Sequence, residues 1–158
     1  MPITSFMMAL TTFVSQNRGA KEYKRARKGA HFGLVCSVSL AETIGLLIAL
    51  FATPLMRLFV DDPKVIQYGV ERAHYATILF FLLAYSHGVS AVLRGVGKSV
   101  IPMVVMLVCW CLVRVTLLTM LNMLFHNIVF VYLVYPFTWS LSSITFFIYY
   151  HRVDWLHA

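Results

Sequence analysis

Four apolar stretches, at 33–52, 70–93, 101–123 and 128–150, constrain this chain more than any other feature. Each is about twenty residues long, the length that carries a helix across a hydrocarbon core of ~30 Å. Inside lipid the backbone must satisfy its own hydrogen bonds, so such stretches are expected to be helical. Strand-like alternation is absent, which argues against a transmembrane barrel. The composition agrees: 60% of residues are hydrophobic and only 12% charged, where globular chains carry roughly a quarter charged residues. The expected fold class is all-α, a polytopic transmembrane helical bundle.

A shorter apolar stretch occupies 1–15. It is too short to span and lacks the basic start and cleavage site of a signal peptide. It reads as the end of a fifth span, ahead of four complete ones. Thr53-Pro54 stops the first complete span, and Asp62 with Pro63 forms a helix start. Residues 94–98 and 125–127 make the later turns. Pro136 lies inside the last span, where its missing N–H is expected to kink the helix just before Phe137.

The net charge of +7 is unevenly placed. Arg18, Lys21, Lys24, Arg25, Arg27 and Lys28 fall in one inter-helix loop, with Glu22 the only acid among them. A basic loop between apolar spans is a topology signal and points to the lipid bilayer, not to nucleic acid, as partner. The 53–72 connection is balanced, 94–98 carries Arg94 and Lys98, the turn at Asn127 has no Lys or Arg, and the tail has Arg152. This alternation places 18–28, 94–98 and 151–158, and hence the C-terminus, in the cytoplasm. Trp139 sits deep in the last span, whereas Tyr149, Tyr150 and Trp155 read as anchors at its cytoplasmic end.

Several residues exceed what an anchor needs. Glu42 stands mid-span, where an acid costs roughly 2.5–3.5 kcal/mol on insertion scales. Ser39, Glu42, Gly45, Ala49 and Ala52 recur at helical spacing, a small-residue face suited to close packing. Glu42 therefore points into protein or a wet cavity, either as a protonatable, cation-attracting group or as a structural carboxylate. His87 interrupts the next span between Ser86 and Gly88. It is a candidate proton relay, since an unperturbed imidazole titrates near pH ~6.5, or a donor to a neighbouring carbonyl. Gly88, Ala91 and Gly95 share a face that favours close helix contact. Arg114 follows Trp110 by one helical turn, so the two can stack, and its expected role is structural.

Cys36, Cys109 and Cys111 show neither CxxC nor Cys/His ligand spacing, and are expected to be buried reduced thiols, with no metal or other cofactor. Gly95-Val96-Gly97 is too short for a nucleotide loop and reads as a turn. No HExxH or nucleophile elbow is present, so an enzyme is not expected.

Five pieces in order resemble the multidrug and toxic compound extrusion (MATE) family. They are Gln16-Asn17-Arg18-Gly19-Ala20 before the basic stretch, and Leu58-Phe59 with Asp62 and Val65. Leu93-Arg94-Gly95 with Gly97 and Pro102 follows, then Trp110 with Arg114, and finally Tyr135-Pro136 with Trp139, Tyr149 and Tyr150. The resemblance implies that residues 1–158 are most of the C-terminal lobe of a two-lobe transporter, a fragment whose partner is the missing N-terminal lobe. It further implies a multi-pass protein of the cell membrane that extrudes drugs or small organic cations by antiport, with H⁺ or Na⁺ as the transported coupling ion. Gln16, Asn17, Gly19, Arg94, Gly95, Trp110, Arg114 and Pro136 become structural or gating candidates, with Glu42 and His87 as coupling or pathway candidates. Where some members carry an ion-site carboxylate upstream of the Arg-Gly turn, this chain has Leu83. A related flippase for lipid-linked saccharides and a truncated, non-transporting membrane protein are the alternatives.

Overall fold

A computed structural model describes residues 2–125 and 128–156. All regular structure among them is helical. Helix α1 covers Pro2–Gly19, α2 Tyr23–Leu50, α3 Ala52–Arg57, α4 Pro63–Thr77 and α5 Phe80–Gly95. Helix α6, Val100–Met106, runs through a π-helical segment, Leu107–Val113, into α7, Arg114–Phe125, and α8 covers Ile128–Arg152.

The count of spans differs from expectation. Three helices, Tyr23–Leu50, Val100–Leu124 and Val131–Arg152, are long and apolar enough to cross a membrane. A fourth crossing exists only if α4 and α5 form one span, and they meet at 57°. Residues 70–93 are therefore not one straight helix. The sequence hides the break because no Gly or Pro marks it. Thr77 sits at the break, where its Oγ1 donates to Ala73 O at 2.7 Å and also lies 3.4 Å from Gly45 O of α2. A threonine bonded back to its own helix bends it.

The basic stretch is not a loop either. Arg18 closes α1, a tight turn carries Lys21 at φ 60°, and Lys24 to Lys28 fill the first turns of α2. Lys and Arg are good helix formers, and a helix that emerges into water need not end where apolar sequence ends. α8 likewise continues through Pro136 as one element. The turn at Asn127 lies outside the described residues.

α1, α2 and α5 pack around a shared core of Leu10, Val14, Ala30, Leu34, Val89 and Val92. Small residues set their spacing. A Cβ at Gly33 would strike Leu10, one at Gly88 would strike Leu34, and one at Gly95 would sit 2.7 Å from the backbone oxygen of Thr11. The buried face of α2 runs through Ala26, Ala30, Gly33, Ser37, Ala41 and Gly45, so Ser39 is exposed instead of sharing it. Outward surfaces are apolar, with Leu46, Leu47, Leu50, Leu112, Val115, Phe147 and Ile148 exposed. A multi-pass membrane protein presents such side chains to lipid.

The three basic ends lie together. Arg18 Nη1 donates to Val96 O, Arg27 pairs with Asp154 at 3.3 Å, and Trp155 and Leu156 enter the core beside Ala26 and Val96. Trp155 is 3% exposed and stacks on Tyr150, so it packs inward and is not an interfacial anchor. Cys109 is buried and Cys36 half-buried, but Cys111 is exposed on the outer surface, against the expectation of burial.

Candidate functional site

The inward face of α5 borders two cavities. Phe80, Leu83 and His87, spaced one turn apart, line both. The first, about 650 Å³, lies between α1 and α5, with Ala41 of α2 at its side. Its walls are mainly apolar, from Ile3, Met7, Met8 and Ala84, with the hydroxyls of Thr11 and Thr12 among them. Thr11 Oγ1 is committed to the backbone, donating to Met7 O at 2.9 Å or Ala91 O at 3.1 Å. Arg94 is the charged residue of this lining and is itself exposed.

The second cavity, about 510 Å³, lies between α4, α5, the π-helical segment and α8. It is aromatic and basic. His87 meets Trp110 edge-on at 5.1 Å. The Arg114 guanidinium lies 5.2 Å from the Trp110 ring and 4.7 Å from that of Tyr135. Arg72 of α4 lies over Tyr135 as well, at 5.2 Å. Arg114 Nη2 and Nε donate to Thr138 Oγ1 at 2.8 and 3.3 Å, a bridge to a hydroxyl of another helix.

Behind the aromatic wall a serine cluster fixes α5 to α8. Ser86 Oγ shares hydrogen bonds with Ser142 at 2.9 Å and Ser143 at 2.8 Å. Trp110 Nε1 donates to Ser142 at 3.3 Å, and Ser143 donates to Leu82 O at 2.7 Å. The buried polar atoms are thereby satisfied, as a bundle core requires.

The structure scatters the other candidates. Glu42 is half-buried next to Ala41 but does not line the first cavity, and its Oε2 is buried without a hydrogen-bond partner. Such an atom carries the cost of lost water with no compensation. Gln16 is exposed and Asn17 donates to Phe13 O at 2.7 Å, both at the end of α1 that carries the basic residues. Gly19 stands in open space, while Gly95 touches α1 directly. Pro136 is buried in α8 and accepts a bond from Ser140 Oγ at 2.8 Å. No cluster of three or more His, Cys, Asp or Glu able to hold a metal ion occurs among the described residues.

Sequence reasoning missed Arg72, Thr138 and the serine pair. Arg72 was counted only in the charge balance of the 53–72 connection, and nothing near it in the sequence shows that it lies over the Tyr135 ring of α8. Leu83, noted only as an absent acid, lines both cavities.

A model of the MatE family matches residues 1–120. A protein of Thermotoga maritima described as "Probable multidrug resistance protein NorM" is 29% identical over 105 residues, covering 66% of this chain and 23% of the relative. A Chromobacterium violaceum protein of the same description is 28% identical over 101 residues, covering 64% and 22%. The chain thus matches less than a quarter of the length of either curated relative.

Proposed function

The chain belongs to the MatE family, and from that membership we propose that it forms most of the C-terminal lobe of a two-lobe exporter of drugs or organic cations, driven by antiport against H⁺ or Na⁺. The observation that carries this reading is the cavity of about 650 Å³ against α1 and α5. Its methionine and aliphatic walls suit the apolar body of a drug, and flexible Met side chains tolerate varied shapes. The N-terminal lobe would supply the remaining wall, in keeping with the share of each relative that lies outside the match. The protein would reside in the cell membrane with its C-terminus in the cytoplasm, as the clustered basic ends support.

Coupling falls to Glu42 and His87. His87 borders both cavities, so gain or loss of a proton there would act on whatever occupies either. Glu42 offers a carboxylate oxygen that no described group satisfies, and intramembrane acids of this kind serve ion and proton pathways. A lone carboxylate suits a proton, which needs one base, better than Na⁺, which needs several oxygens. A flippase for lipid-linked saccharides would need a strongly basic transport cavity, and here one guanidinium, Arg94, and one imidazole, His87, are the basic groups of the lining.

Ethidium efflux from cells expressing the intact reading frame tests this reading, under separately imposed proton and Na⁺ gradients. The expected result is efflux driven by the proton gradient, lost in Glu42→Gln and reduced in His87→Ala. Efflux that survives Glu42→Gln under both gradients returns Glu42 to a structural role. Failure of the unmodified protein to export ethidium or other cations rejects the drug-export reading.

A further inference from the structure

We propose that the second cavity, between α4, α5 and α8, binds the acidic group of an amphipathic anion, a carboxylate or phosphate attached to an apolar body. Two guanidinium groups here have no ion-pair partner among the described residues. Arg72 and Arg114 both lie over the Tyr135 ring, at 5.2 and 4.7 Å. Sharing one ring holds them within about a Debye length, ~10 Å at 0.1 M salt, so each raises the potential at the other.

Among the described residues no acid lies within ion-pair distance of either. Arg27–Asp154, at the far end of the bundle, is the ion pair found among the described residues. Glu71, the acid next in sequence, accepts from Gln67 at 3.1 Å and lines a separate cavity with Gln67 and Asp61. Arg114 gives two of its N–H groups to one neutral hydroxyl, that of Thr138. A guanidinium carries five donors, so three remain. Tyr135 and Trp110 offer their ring faces, which offset part of a charge but accept no strong hydrogen bond.

The surrounding space accounts for the rest of the ligand. The cavity holds about 510 Å³, and Phe80, Trp110, Tyr132 and Trp139 wall it. That volume takes a fused aromatic ring system or the upper part of an acyl chain. Planar guanidinium groups match the paired oxygens of a carboxylate or phosphate. This site differs from the proposed drug cavity in carrying two guanidinium groups among aromatic rings, where the other has one and aliphatic and methionine walls. The two communicate only through the shared residues of α5, so either assignment can fail without the other.

The test uses the intact protein in nanodiscs of zwitterionic phosphatidylcholine, titrated calorimetrically with 1-naphthoate and with its neutral isostere 1-naphthamide. Saturable binding of naphthoate and at least tenfold weaker binding of naphthamide are expected. Arg72→Gln and Arg114→Gln should each weaken naphthoate about tenfold or more, the loss expected of one charge-assisted hydrogen bond. Arg72 is exposed and makes no hydrogen bond among the described residues, so its variant leaves the fold intact. Competition by lysophosphatidylglycerol, but not by lysophosphatidylcholine, would assign the anion to membrane lipid. Naphthoate binding unaffected by either would assign it to a soluble organic acid. Equal affinity for naphthoate and naphthamide, or wild-type affinity in Arg72→Gln, overturns the proposal.

Discussion

Two glycines, Gly95 and Gly29, allow the packing of α1 to be tested against an argument stronger than distance. A Cβ at Gly95 would sit 2.7 Å from Thr11 O and 3.0 Å from Val14 Cβ. Both atoms belong to α1 near its backbone, and Val14 is fully buried. Relief therefore requires moving one helix against another, at a cost of roughly 1–3 kcal/mol for overpacking. A Cβ at Gly29 would strike Phe13 even more closely, but it meets only the outer ring atoms. That ring borders an open cavity of about 500 Å³ lined by Glu22, Lys24 and Lys28, into which it can turn. Replacing a mid-helix glycine by alanine also gains up to about 1 kcal/mol of helix propensity.

The expected order is thus the reverse of the order of clash distances. Gly29→Ala should be neutral or slightly stabilising, and Gly95→Ala should destabilise. In a domain of this size 1 kcal/mol corresponds to ~2–4 °C in Tm. Gly95→Ala should lower the apparent Tm by roughly 2–10 °C, with Gly29→Ala within about 3 °C of wild type in either direction on the same conversion. A thermal-shift assay in detergent, read from the intrinsic fluorescence of buried Trp139 and Trp155, follows both. A greater loss in Gly29→Ala than in Gly95→Ala would refute the reasoning, because it would make the Phe13 ring the rigid partner.

Two further predictions separate kinds of contact in the same assay. Ser86→Ala removes one node of the serine cluster but leaves Ser142 on Trp139 O and Ser143 on Leu82 O; the expected loss is about 1 kcal/mol, and a fall of more than ~10 °C would show that the cluster acts as a unit. Trp155→Ala should cost roughly 3–5 kcal/mol, as for any large buried aromatic, whereas Asp154→Ala, which breaks the exposed pair with Arg27, should not shift Tm measurably. Equal effects at the two neighbours would mean that charge, not packing, holds the tail.

What could be read in the sequence followed from rules with short range. Apolar length placed three helices able to cross a membrane, alternating basic turns brought Arg18 to the 94–98 turn, and the i, i+4 spacing of Trp110 and Arg114 placed ring and guanidinium together. Asp62 does cap α4, accepting from Lys64 N at 2.9 Å. What could not be read depended on partners distant in the chain. The face through Ser39, Glu42, Gly45, Ala49 and Ala52 was drawn from helical spacing alone; Gly45 and Ala52 are buried as expected and Glu42 and Ala49 half-buried, but the packed stripe continues through Ala41 and Ser37 and leaves Ser39 exposed. Arg72 was counted as loop charge because nothing local says that Tyr135 receives it.

The two irregular places in the backbone, both invisible in the sequence, bear on the same small region. The bend at Ile78 and Leu79 turns α5 so that Phe80, Leu83 and His87 face the cavities. The π-helical segment ends where Arg114 begins α7, and it carries Trp110. A π turn closes i→i+5 instead of i→i+4, which rotates everything after it relative to a regular helix. Within lipid such departures persist only where protein satisfies the backbone or lines a cavity. At the bend Thr77 donates to Ala73 O, and just beyond it Ser143 of α8 donates to Leu82 O. The region where local sequence rules fail is therefore the region where His87, Trp110 and Arg114 converge. The physical reading is that these helices are shaped for what they hold and not only for crossing the membrane.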